Sequence, residues 1–191
     1  TGGGSVSLGD GDDTVSGSTT ASTIDGGAGN DNVSTGAGAD TLTLGEGNNT
    51  LADTGGSNTV TAGAGNDTVT ITGSTGDHIA LGDGANVLSD TGTGGDVVSS
   101  GSGNDAITLV GSNNDSVTSG AGDDTISSGG GTDVLNAGSG NDSINFTGAG
   151  GIQGSDGDDT ITGGTVASVI DGGTGNDVIT MLMYRRARLR V

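Results

Sequence analysis

The chain has 191 residues, 44 of them Gly and none Pro, Cys or Trp, and only 28 % are hydrophobic. Its formal charge is −20, and all four cations (Arg185, Arg186, Arg188, Arg190) fall in the last seven residues, so Thr1–Tyr184 carries every acid and no Lys or Arg. This excludes a domain built on one thick apolar core, and it excludes nucleic acid as a partner, since that affinity comes from Lys and Arg meeting phosphate.

So little apolar surface and so much charge cannot offset chain entropy unaided. Two readings remain: a disordered acidic tract, or a repeat whose charge is cancelled from outside the sequence. No charged-then-apolar start marks a signal peptide, and no apolar run approaches membrane-spanning length. The absence of cysteine agrees with a calcium-rich exterior.

A repeat is present. An apolar residue two places after an Asp, or after its substitute, recurs from Val15, Ile24, Val33 and Leu42 through to Ile161, Ile170 and Ile179, mostly nine residues apart. The copies alternate in quality, so the true period is 18 or 19. Strong copies include GDGDDTV at Gly9, GGAGNDNV at Gly26, GAGNDTV at Gly63, GSGNDAI at Gly101, GAGDDTI at Gly120, GSGNDSI at Gly138, DGDDTI at Asp156 and GTGNDVI at Gly173. Worn copies end at Ile24, Val60, Val117 and Ile170.

Each copy predicts a glycine turn followed by a short strand. Gly reaches the positive φ that a loop needs if its carbonyls are to converge, and Thr, Val and Ile suit an extended pleat. Period-two burial turns the apolar anchor inward, often with a second residue two places on, as in Leu42/Leu44, Val69/Ile71, Ile79/Leu81, Ile107/Leu109 and Ile144/Phe146. Outward positions are mostly Thr or Ser. The expected fold is all-β: a right-handed parallel β-roll (a β-solenoid) with two short strands and two glycine turns per coil. It is one unit over residues 1–180, of about nine coils at roughly 4.8 Å each.

Stacked coils would place the Asp of every strong turn above the last, giving the column Asp13, Asp31, Asn49, Asp67, Asn86, Asp105, Asp124, Asp142, Asp159 and Asp177. Adjacent charges at that spacing repel by roughly 1 kcal/mol in water and by ~3–4 kcal/mol at an effective dielectric near 20. A divalent cation between successive turns would convert the column into ligands. Carboxylates with loop carbonyls make an adaptable all-oxygen cage, which suits Ca2+, whereas Mg2+ holds its water too firmly and zinc prefers His or Cys. Several stacked Ca2+ ions are therefore expected, and ion binding becomes folding free energy. A weaker second side carries Asp40, Asp77, Asp96, Asp115 and Asp133, with Ser22, Asn58, Gly150 and Ser168 completing it. Few ions are expected there, mostly between Asp77 and Asp133, and none at either end.

GGAGNDNV, GAGNDTV and GTGNDVI resemble the glycine- and aspartate-rich nonapeptides of the repeats-in-toxin (RTX) class, and the resemblance covers Gly9–Ile179. It implies a calcium-loaded β-roll exported by a type I system of a Gram-negative bacterium. By motif, loop carbonyls that ligate calcium fall on Gly9/Gly11, Gly27/Gly29, Gly63/Gly65, Gly101/Gly103, Gly120/Gly122, Gly138/Gly140 and Gly173/Gly175. The substitutions Asn49 and Asn86 weaken two sites. The strong/worn alternation looks more like surface-layer proteins and large adhesins than the toxins. The expected function is a calcium-stabilised extracellular structural segment without catalysis, in contact with copies of itself or with cell-surface polysaccharide. Rival readings are the secretion and folding module of an exported protease, lipase or toxin, and an ice-binding solenoid.

Asp pairs such as Asp12/Asp13, Asp123/Asp124 and Asp158/Asp159 recur along a rod, which favours a structural role over acid/base dyads. His78 is the only His and occupies an outward strand position. Outward Thr pairs suit an ice-binding face, but His78, Val97 and Gly151 interrupt the rows. The basic tail at 181–191 is expected to be a cap over the last coil, a contact to an anionic surface, or an engineered scar.

Overall fold

The computed structural model describes residues 3–164, 166 and 168–182. The expected tail lies almost wholly outside these residues. Twenty short strands follow one another, from Ser5–Asp10 to Val178–Met181. Alternate strands join opposite sheets, so the chain winds through two ten-stranded parallel sheets and no described residue is helical. The molecule is a β-solenoid.

Each sheet has ten strands where about nine coils were expected. The additional strand is Ser5–Asp10, whose Val6 pairs with Ile24 although Gly4 stands where later copies carry the acid. Registers step by 18 or 19 residues along most of the rod. Late in the chain the step falls to 17, as in Thr132↔Ala149 and Ser143↔Thr160.

Burial alternates as the pleat requires. The strand Thr68–Ile71 buries Val69 and Ile71 and exposes Thr68 and Thr70. In register, Leu51, Val69, Leu88 and Ile107 stack in one sheet, and Leu42, Val60, Ile79 and Val98 in the other. All of these are buried, and each contributes roughly 1.5–3 kcal/mol on leaving water. Anchors at the end rungs have a neighbour on one side only: Val15 and Ile170 are partly buried, and Ile179 is 46 % exposed.

The turns hold their shape through glycine. Gly63 and Gly65 lie at φ +105° and +133°, and a Cβ on either would come to 2.1 Å of a carbonyl oxygen of the preceding coil, Gly45 O or Gly47 O. Residues of this column must therefore lack a side chain both for φ and for stacking. Ser155 alone breaks the rule: it takes the place of Gly138 one coil on, at φ +86°. Its hydroxyl bonds to Asn136 Oδ1 at 3.0 Å.

Candidate metal centre

The strong-turn column is assembled as expected, and a hydrogen-bond ladder fixes it. The N–H of Asp13 donates to Oδ1 of Asp31 at 2.9 Å, and the N–H of Asp31 to Oδ1 of Asn49 at 2.9 Å. The same bond joins each later pair, Asn49 to Asp67, Asp67 to Asn86, Asn86 to Asp105, Asp105 to Asp124, Asp124 to Asp142, Asp142 to Asp159 and Asp159 to Asp177, at 2.7–3.1 Å. One carboxylate oxygen per rung is thereby spent on the neighbouring backbone. The acids sit inside: from Asp31 to Asp159 every side chain of the column is at most 2 % exposed.

The other oxygen is the telling one. Oδ2 of Asp13, Asp31, Asp67, Asp105, Asp124, Asp142 and Asp159 is buried and accepts no hydrogen bond. An ionised carboxylate left so is costly, because burial without a partner removes its hydration. Burial accordingly pushes the carboxyls of Asp67, Asp124 and Asp159 up, and that of Asp142 up to about 6; neighbouring acids add to the shift at Asp124, Asp142 and Asp159, but not at Asp67, which lies between Asn49 and Asn86.

At Asn49 and Asn86 the same place is filled by an N–H. Asn49 Nδ2 donates to Gly45 O at 3.3 Å and Gly47 O at 3.2 Å, and Asn86 Nδ2 to Gly82 O at 3.1 Å and Gly84 O at 3.2 Å. These carbonyls belong to the first and third residues of each turn's own glycine loop. A side-chain atom at this position therefore meets two loop carbonyls, and the position calls for a positive partner. Asn brings its own. Asp brings a second negative atom.

From Asp31 onward, though not at Asp13, which Leu8 precedes, the residue five places before the turn residue follows the same division. Leu44 and Leu81 precede the two Asn, whereas Gly26, Ala62, Ser100, Ser119, Ala137, Gly154 and Gly172 precede the Asp from Asp31 onward. At Gly26 a Cβ would lie 2.5 Å from Asp31 Oδ2, and at Gly154 only 2.2 Å from Asp159 Oδ2. Small residues leave space where the acid needs it. This pairing was visible in the sequence and was missed there.

Positive φ holds at Gly9, Gly11, Gly27, Gly29, Gly63, Gly65, Gly103, Gly120, Gly122, Gly138, Gly140, Gly173 and Gly175; Gly101 alone among the expected loop glycines is not of this kind. The residue before each column acid forms a separate, exposed ladder in the opposite sense. Asn30 N–H donates to Asp12 Oδ1 at 2.7 Å, Asn48 N–H to Asn30 Oδ1 at 2.8 Å, and Asp158 N–H to Asn141 Oδ1 at 2.9 Å. The two acids of Asp12/Asp13 and Asp158/Asp159 thus serve two ladders, the structural role favoured for such pairs.

On the second side, Ser22, Asp40, Asn58, Asp77, Asp96, Asp115 and Asp133 also stack, each N–H donating to the next Oδ1 at 2.6–3.1 Å. The ladder stops at Gly150, which has no side chain to continue it. Burial raises the carboxyls of Asp40 and Asp115, and that of Asp96 to about 6. Two buried acids on the strands were not anticipated, Asp53 and Asp90. They occupy inward positions that Ile71 and Leu109 fill in neighbouring coils, so pleat alternation alone could have singled them out.

The donor set is all oxygen, buried and short of positive charge, which fits calcium. The Asp column with its glycine carbonyls would hold the ions, which supply the charge that lets carboxylates stack. Among the described residues no helix is long and apolar enough to cross a membrane.

No curated protein and no solved structure matches the chain. A family model for the RTX calcium-binding nonapeptide repeat matches four segments, 8–42, 43–71, 110–144 and 153–180, more than half of the chain. This is a structural calcium-binding repeat typical of secreted bacterial proteins. With its glycine turns, its buried acid column and its parallel coils, the chain belongs to the RTX calcium-binding repeat family.

Proposed function

We propose that this solenoid is a calcium-stiffened extracellular structural segment of a bacterial surface layer, sheath or adhesin, which folds when it meets external calcium. Ions bridge successive strong turns through the Asp column and the glycine-loop carbonyls. The rungs at Asn49 and Asn86 take none, because their own amides already bond the loop carbonyls. The observation that carries the reading is the row of buried Oδ2 atoms without a donor along one edge. A column of this kind is rigid only when loaded, which makes it a spacer that sets its stiffness outside the cell. Exposed Thr and Ser rows and the acidic turns present a regular face to further copies or to cell-surface polysaccharide.

Lateral assembly tests this function. Electron microscopy of purified protein in millimolar calcium should show ordered arrays or bundles that dissolve on chelation. Monodisperse rods at every calcium concentration would contradict the lattice role and favour a module carried by an exported enzyme or toxin.

A further inference from the structure

One acidic group stands apart from both turn ladders in its composition. Asp77 and Asp96 belong to successive turns of the second side, and Asp90 ends the strand Val87–Asp90 of the opposite sheet. One carboxylate oxygen from each lies within 4.8 Å of the others, and all three residues are buried. Within this group, Oδ2 of Asp77 and Oδ2 of Asp90 accept no hydrogen bond. Asp90 Oδ1 is already engaged by the Gly92 N–H at 2.6 Å and by Ser74 Oγ at 3.4 Å, and Oδ1 of Asp77 and of Asp96 by the ladder.

Neighbouring coils show what the site lacks. Two coils earlier the strand acid is Asp53 and the turn residue is Asn58, whose Nδ2 donates to Asp53 Oδ1 at 3.1 Å. Thr35 Oγ1 bonds Asp53 Oδ2 at 3.1 Å, so that carboxylate is fully partnered. Two coils later Ser128 replaces the strand acid, and its hydroxyl donates a hydrogen bond to Asp133 Oδ2 at 2.5 Å. In each case one member of the strand–turn pair is a donor. At Asp90 and Asp96 both members are acceptors, with Asp77 as a third. Nor can a side-chain cation supply the charge, because no Lys or Arg occurs before Arg185.

We propose that the strand residue Asp90 joins Asp77 and Asp96, two of the acids expected to carry ions on the second side, around one calcium ion inside the solenoid, which ties a strand of one sheet to successive turns leading into the other. Three carboxylates, one from a strand and two from successive turns, form a hard, all-oxygen donor set. This site uses a strand residue as ligand, and it lies on the turn edge opposite the strong column. It requires the chain to bind calcium, but its geometry is independent of the column.

Counting bound calcium tests it, by native mass spectrometry of the full chain equilibrated with calcium alone. Asp90→Leu continues the apolar positions of Ile71 and Leu109, and Asp96→Asn reproduces the Asn58 donor beside Asp53. Each should fold in saturating calcium and bind one ion fewer than the parent chain. Asp105→Ala, in the strong column, serves as the parallel control and should lose ions of its own. Parent counts in both Asp90→Leu and Asp96→Asn, with ions lost in Asp105→Ala, would overturn the interior site and point to a shared proton between the acids. Failure of both variants to fold in calcium would overturn it as well. Parent counts in all three would instead remove the turn-column reading along with it.

Discussion

At Asn49 and Asn86 a single atom decides whether a rung needs a metal. The carboxamide keeps Oδ1 for the neighbouring N–H and turns Nδ2 onto two glycine carbonyls, whereas a carboxylate turns a second oxygen there. Asn49→Asp should therefore add calcium to the count and raise the calcium concentration at the folding midpoint, as followed by circular dichroism. Asp105→Ala and Asp105→Asn separate the two jobs of the acid. Alanine leaves the Asn86 N–H without its acceptor, a loss of about 1–3 kcal/mol for a buried donor, and removes the ligand too. Asparagine preserves the acceptor and brings an amide, so it should lose calcium while folding at a lower calcium concentration than the alanine variant does. Equal midpoints for the two variants would contradict this division of roles.

The elements were legible because their physics is local. Anchors such as Val69, Leu88 and Ile107 follow a period-two pattern that only a pleat satisfies, and Gly63 and Gly65 mark a turn with positive φ. The strand at Val6 escaped the count of coils because it lacks the acid used for alignment. Asp53 and Asp90 escaped as site residues because acids were sought in turns, and their partners Asn58, Asp77 and Asp96 come from other elements. That the amide of Asn49 would fold back on its own loop depends on a side-chain direction that a letter does not carry. The turn geometry makes its own prediction. Gly63→Ala places a Cβ against Gly45 O at φ +105° and should lower the melting temperature in saturating calcium. The φ penalty alone is roughly 1–2 kcal/mol. Ser155→Gly relieves a positive φ of 86° and should raise the melting temperature in the same assay. A fall there would show that its bond to Asn136 outweighs the strain.

For the whole molecule, protons and calcium compete for one set of charges. Burial holds Asp142 and Asp96 up to about 6 and Asp90 up to about 7, against 3.8 for a free carboxyl. A group whose folded pKa is raised costs stability when ionised, so the penalty is full above pH 7 and fades as pH falls through 7 and 6 towards 3.8. In chelator, lowering the pH from 7.5 to about 4.5 should therefore restore β-structure, seen by circular dichroism. In calcium the same acidification should release ions, because ligand carboxylates must be ionised to bind. A chain that stays disordered in chelator down to about pH 4.5 would contradict the burial of these acids.

Far-ultraviolet circular dichroism of the chain in chelator at neutral pH, followed by calcium titration with magnesium as control, tests the central claim most directly. The account predicts a disordered chain in chelator and in magnesium. Calcium should produce a cooperative transition to β-structure at roughly 10⁻⁴–10⁻³ M, the range of extracellular calcium modules. A fully formed β-solenoid in excess chelator at neutral pH would contradict it.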